Sequence, residues 1–202
     1  MLYYITSKFV AKDSDMKFVH FITVQIARFW RFAGLFQPLP LRIIHLLVVF
    51  FVFFELISIS LKDAYPGAIF YHKLGGGVLC FLIIIMLAYC FKLIGIKYYY
   101  PYLWGDFVQL KSDIAQSLKF KIVPLRPRGL AAAVRGLGFV ALALTLSFGA
   151  LTALLWKLGS AYVGVAFEIH AASASLLVVY LICHGGMALA RFVIWERKVF
   201  KG

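Results

Sequence analysis

Residues 166–190 read AFEIHAASASLLVVYLICHGGMALA, twenty-five residues with no Lys or Arg and with histidines at positions 170 and 184. The hydrocarbon core of a bilayer needs ~20 predominantly apolar residues per helix, so this run is long enough to cross one. Fourteen residues of α-helix turn ~1400°, which is ~40° short of four full turns, and rise ~21 Å. His170 and His184 therefore leave one face of one helix at two depths. Ionisable side chains inside a span are costly and are read first as functional.

Three more stretches have the same character: residues 41–61, 69–95 and 136–156. Of the 202 residues 63% are apolar and 14% are charged, with a mean hydropathy of +0.92. A soluble chain has ~45–50% apolar and ~25% charged residues, so a water-soluble globule is excluded, as are disorder and collagen-like repeats. The net charge of +13 does not point to nucleic acid, because the basic residues sit between apolar runs. Eighteen of the 21 Lys and Arg fall on one side of the spans: in residues 8–42, in the second connection with Lys92 before it, and in a tail with Arg191, Arg197, Lys198 and Lys201. Only Lys62, Lys73 and Lys157 fall on the other. By the positive-inside rule both termini are cytoplasmic. Cys80, Cys90 and Cys183 all lie in apolar runs, which argues against a disulfide framework.

The predicted organisation is an arm over residues 1–40, a four-span bundle over 41–195 and a cytoplasmic tail over 196–202. Wound as a helix, residues 17–33 put Lys17, His20, Gln25, Arg28 and Arg31 on one arc and Phe18, Val19, Ile22, Ile26, Phe29, Trp30 and Ala33 on the other. This reads as an amphipathic helix lying in the cytoplasmic interface, basic face toward anionic headgroups. A fifth span is the rival, opposed by two arginines in its middle at ~2.5–3.5 kcal/mol each. The aromatic run 98–102 with Trp104 ends the second span at an interfacial belt. In the connection that follows, Gly105-Asp106 is expected to cap a short helix with Phe107, Leu110, Ile114 and Leu118 on one side. No nucleotide-binding glycine loop, zinc spacing or serine–histidine constellation accompanies it.

Four of the five histidines lie in spans. His45 is shallow on the inner side of the first span. His72 opens the second span on the outer side, and His184 and His170 are inner and outer in turn. Depth pairs His45 with His184 and His72 with His170. Imidazole pairs at two levels of a helix bundle describe two b-type hemes, held non-covalently, because Cys183-His184 lacks the upstream Cys of a C-x-x-C-H site. Gly75, Gly76 and Gly185, with their small neighbours, follow these histidines and would let a flat macrocycle approach. Lys73 is placed to hold a propionate or to meet an acidic partner. Opposed to this stand histidines bonded across helices and small residues that merely pack helices, in a cofactor-free transporter or scaffold. His20 reads as solvated. Glu55, at outer-half depth, reads as a proton or quinone contact, or as a neutral acid bonded to a neighbouring helix.

Four spans with one His in the first, one in the second and two fourteen apart in the fourth resemble the bacterial cytochrome b561 family and the b-type cytochrome subunits of respiratory formate dehydrogenases and nickel–iron hydrogenases. The resemblance covers residues 41–195, including the Arg-Phe-Val-Ile-Trp at 191–195. It implies a bacterial inner-membrane protein with two hemes b that moves electrons across the bilayer, to or from a quinone. Two versions stand open. One is the membrane cytochrome subunit of a larger redox complex, meeting a partner protein on the outer face. The other is a stand-alone oxidoreductase taking superoxide or another small donor. A net outer charge of only +1 from Lys62, Lys73, Lys157, Asp63 and Glu168 favours the first, since a surface gathering superoxide should be clearly basic. The quinone is expected near the His45/His184 level.

Overall fold

In the computed structural model, which describes residues 2–119, 121, 123 and 127–200 with side chains from residue 16 onward, every long apolar run is helical. The elements are α1 (Leu2–Gly34), α2 (Leu39–Ser60), α3 (Ala68–Leu93), α4 (Ile96–Tyr99), a 3₁₀ turn (Pro101–Trp104), α5 (Val108–Ser117), α6 (Leu130–Lys157) and α7 (Val163–Phe200). No strand occurs among the described residues. Helices α2, α3, α6 and α7 are long and apolar enough to cross a membrane, so the chain is an all-α, multi-pass membrane protein with a four-helix membrane bundle. Of the basic residues that set the expected orientation, Arg126 and Lys201 lie outside the described residues.

The ends of the helices follow from local chemistry. Pro40 sits in the first turn of α2, where its missing N–H has no partner to lose. Helix α6 stops at Gly159, whose φ of +64° only glycine adopts at no steric cost. There the N–H of Gly159 donates to Trp156 O (3.1 Å) and that of Ser160 to Leu155 O (3.0 Å), the paired bonds of a Schellman close. Nothing comparable interrupts α7 after Ala190. Its 38 residues extend ~57 Å, well beyond a ~30 Å hydrocarbon core.

Contacts divide the chain into two compact units, residues 1–42 with 190–202, and residues 43–189. In the first, α1 packs on the end of α7. Phe29 and Phe32 meet Phe192 (ring centroids 5.3 and 5.7 Å), and Phe32 meets Trp195 (5.6 Å). Glu196 accepts from Gln25 Nε2 (3.2 Å) and Arg28 Nη1 (2.5 Å). This corrects the expectation for two members of the basic arc: Gln25 and Arg28 turn to a fixed carboxylate of the protein, not to headgroups. Phe18, Val19, Phe21 and Ile26 stay exposed, as does His20.

In the second unit the connection after α3 folds back on α6. Tyr99, Tyr100 and Pro101 are buried, so the core of the aromatic run is protein interior rather than interfacial belt. Gly136 makes this fit, because a Cβ there would lie 2.9 Å from Tyr99 O and 3.0 Å from the Tyr100 ring. The Tyr100 hydroxyl donates to Gly136 O at 3.0 Å. Burial, above all, raises the pKa of both phenols, with the Cys90 thiol adding to the effect at Tyr99 and Tyr102 at Tyr100; both remain neutral hydrogen-bonding groups. Helix α5 forms as expected but not with the expected cap. No side chain caps its start, and Asp106 is instead paired with Arg128 (3.2 Å). Nor does its apolar side bury: Phe107, Ile114 and Leu118 are exposed, while Asp113 is 0% exposed. Asp113 accepts from Gln109 Nε2 (2.6 Å) and from the N–H of Leu130 (2.9 Å). It thus serves as the cap of α6, supplied from another helix to one of the orphan donors at that helix's start.

Candidate functional site

The second unit carries all four span histidines. Helix α7 presents His170 and His184, α2 presents His45 and α3 presents His72. The rings of His45 and His184 lie 6.4 Å apart by centroid, with their planes at 68°. Those of His72 and His170 lie 6.2 Å apart at 71°. The structure brings the histidines together in these two pairs.

Both separations suit a metal held between two imidazoles. With metal–nitrogen bonds of ~2.0 Å and each ring centre ~1.1 Å behind its ligating nitrogen, the centroids sit ~6.2 Å apart. Crossed ring planes are compatible with two rings sharing one axis. Among the described residues no group of three or more His, Cys, Asp or Glu could enclose an ion. Two imidazoles at a level could hold a metal only if its remaining positions were filled by another group, such as a macrocycle.

Nitrogen roles are set at the second pair. His170 Nδ1 lies 2.8 Å from Thr145 O. A carbonyl only accepts, so the proton is on Nδ1 and the lone pair on Nε2. His72 Nδ1 lies 2.8 Å from Glu55 Oε2, 3.3 Å from Glu55 O and 3.4 Å from Ser58 Oγ, which likewise makes Nδ1 the donor. Ser58 is itself tied to Glu55 O at 2.9 Å. At the first pair, Tyr180 stacks on His184 with centroids 5.1 Å apart and planes at 20°. Arg135 lies within electrostatic range of His45 and Tyr180 and donates to Tyr98 Oη at 3.0 Å.

The small residues divide in role. A Cβ at Gly75 would collide with Glu55 Oε1 and lie 2.8 Å from the Phe54 ring, so that notch is filled by side chains of α2. At Gly76 a Cβ would meet Glu55 Oε2 at an ordinary 3.8 Å, and at Gly185 no protein atom lies within 4 Å. Lys73 places its Nζ 3.9 Å over the Trp156 ring, a cation–π contact.

Several contributors carried no obvious mark in the sequence. Helix α6 has no histidine, yet it supplies Thr145 O and two glycines that clear the rings. A Cβ at Gly149 would lie 3.0 Å from His170 Cε1, and one at Gly138 would strike Tyr180. The available signal was their spacing: eleven residues turn ~1100°, within ~20° of three full turns, so both glycines mark one face.

A family model described as prokaryotic cytochrome b561 matches residues 37–202. Neither the comparison with curated proteins nor that with solved structures gives a match.

Proposed function

The chain belongs to the prokaryotic cytochrome b561 family, whose members are heme-binding membrane proteins of transmembrane electron transfer, and from that premise we propose that this protein carries two non-covalent hemes b, one between His45 and His184 and one between His72 and His170. The observation that supports the reading above all is the pair of imidazole separations, 6.4 and 6.2 Å. When bound, the hemes supply one-electron redox chemistry at two levels of the bilayer. The chain's own histidines would hold the iron, and neighbouring groups fix the tautomers of His170 and His72. Thr145 O and Glu55 do so at the outer level. The small residues Gly76 and Gly185 leave room beside His72 and His184. Arg135 offers a cation at the inner level to a propionate or to a quinone oxygen.

The proposed orientation puts both termini in the cytoplasm of a bacterium, in its inner membrane, with the His72/His170 level outward. In that frame residues 1–40 form an arm whose helix lies on the membrane through exposed residues such as Phe18, Phe21 and Ile26, residues 41–195 form the di-heme domain, and 196–202 form the tail. Quinone is taken at the inner level. The donor on the outer face is a partner protein of a larger redox complex. Two of the three lysines on that face are already engaged, Lys62 by Asp63 at 2.9 Å and Lys73 by Trp156 at 3.9 Å, which leaves little basic surface to gather a small anion.

A pyridine hemochrome assay on the purified chain tests the core of this reading. Two hemes per chain, both removed by acid–acetone, are expected. A colourless protein, a stoichiometry of one, or heme that survives extraction overturns it.

A further inference from the structure

The first of the three glycines of α3 and the single acid of α2 fit together. Gly75 is buried, and the place its side chain would fill is taken by Glu55 Oε1 and the Phe54 ring. The same carboxylate puts its other oxygen 2.8 Å from His72 Nδ1. Its Oε1 is buried with no hydrogen-bond partner. An acid in a span with one oxygen unsatisfied is costly, so stability does not account for it. What it does accomplish is a strong contact with one ring nitrogen of one histidine.

We infer that Glu55, seated in the notch of Gly75, is the positioning residue of the His72/His170 site: its carboxylate takes the Nδ1 proton bond of His72, aims Nε2 toward His170, and sets the redox potential of this site apart from the other. The inference rests on the di-heme reading and adds to it. Within the pair the two ligands differ. His170 donates to a neutral main-chain carbonyl, whereas His72 donates to a carboxylate. An anionic acceptor makes the imidazole a stronger donor to the metal. Stronger donation favours the oxidised iron and lowers the potential. Ser58 supports the arrangement from the same helix by binding Glu55 O.

The test is a spectroscopic redox titration of Glu55→Gln, Gly75→Ala, Gly164→Ala and Asp63→Asn in the whole chain. Glu55→Gln keeps the shape and weakens the acceptor. The outer component should move to higher potential, or be lost selectively, while the inner one stays at its wild-type value. Gly75→Ala should act in the same direction, since its Cβ displaces the carboxylate. Gly164→Ala should not, since a Cβ there meets nothing within 4 Å. Asp63→Asn controls for the loss of any acid near that end. The role is overturned if Glu55→Gln leaves both potentials in place, if it shifts or depletes both components equally, or if Gly164→Ala or Asp63→Asn reproduces its effect. A wild-type protein without heme removes the proposed function and this role with it. Two hemes with unmoved potentials remove this role alone.

Discussion

At single residues, the histidine rings are held by groups that lie behind them. Gly149 is the sharpest case, because a Cβ there would press on His170 Cε1 at 3.0 Å and on Nδ1 at 3.1 Å, against the bond to Thr145 O. Gly149→Ala is therefore expected to perturb the low-spin spectrum of the His72/His170 component and to spare the other. Gly164→Ala, where a Cβ meets nothing within 4 Å, should leave both alone. Optical difference spectra of the two variants check this, and equal behaviour of the two would contradict it. The histidines were legible in the sequence, since a polar ring in a span stands out and a fourteen-residue spacing fixes face and depth together. The groups behind them were not. Thr145 acts through its main-chain oxygen, which any residue would offer, and Glu55 reaches His72 only because two helices meet at Gly75. From sequence Gly75 reads as room for a macrocycle; in the fold that room is occupied by α2.

At the scale of elements, α2, α6 and α7 each serve more than one level. Helix α2 gives His45 to one pair and Glu55 with Ser58 to the other, ten and thirteen residues further on. Helix α6 gives Arg135 near one pair and Thr145 and Gly149 at the other. The start of α6 therefore matters to both, and Asp113 secures it. Removing a buried capping carboxylate costs ~1–3 kcal/mol. Asp113→Ala should lower the melting temperature in detergent, whereas Asp106→Asn, which loses only the solvent-facing pair with Arg128, should cost ~0–1 kcal/mol. Equal melting of the two variants would contradict the capping role. Asp113 was invisible in the sequence because it caps a helix from another element, whereas sequence signals report caps within a few residues. The spans themselves were plain from length and composition. The end of α7 was less so: hydropathy falls at Arg191, but no Pro or Gly follows before Phe200, so the helix continues among aromatic and charged residues that pack on α1.

At the scale of the whole molecule, charge asymmetry predicts orientation and the histidine pairs predict function. In a chain whose three cysteines are replaced by alanine, a cysteine placed at Asp63 should react with a membrane-impermeant maleimide in intact cells, and one placed at Lys198 only after lysis. The reverse pattern would invert the outer and inner assignments. The central claim is that four histidines form two separate ligand pairs. Redox titration of His45→Ala, His184→Ala, His72→Ala and His170→Ala tests it most directly. The account predicts that the first two variants remove one heme component and the last two remove the other; removal of the same component by His72→Ala and His184→Ala would contradict it.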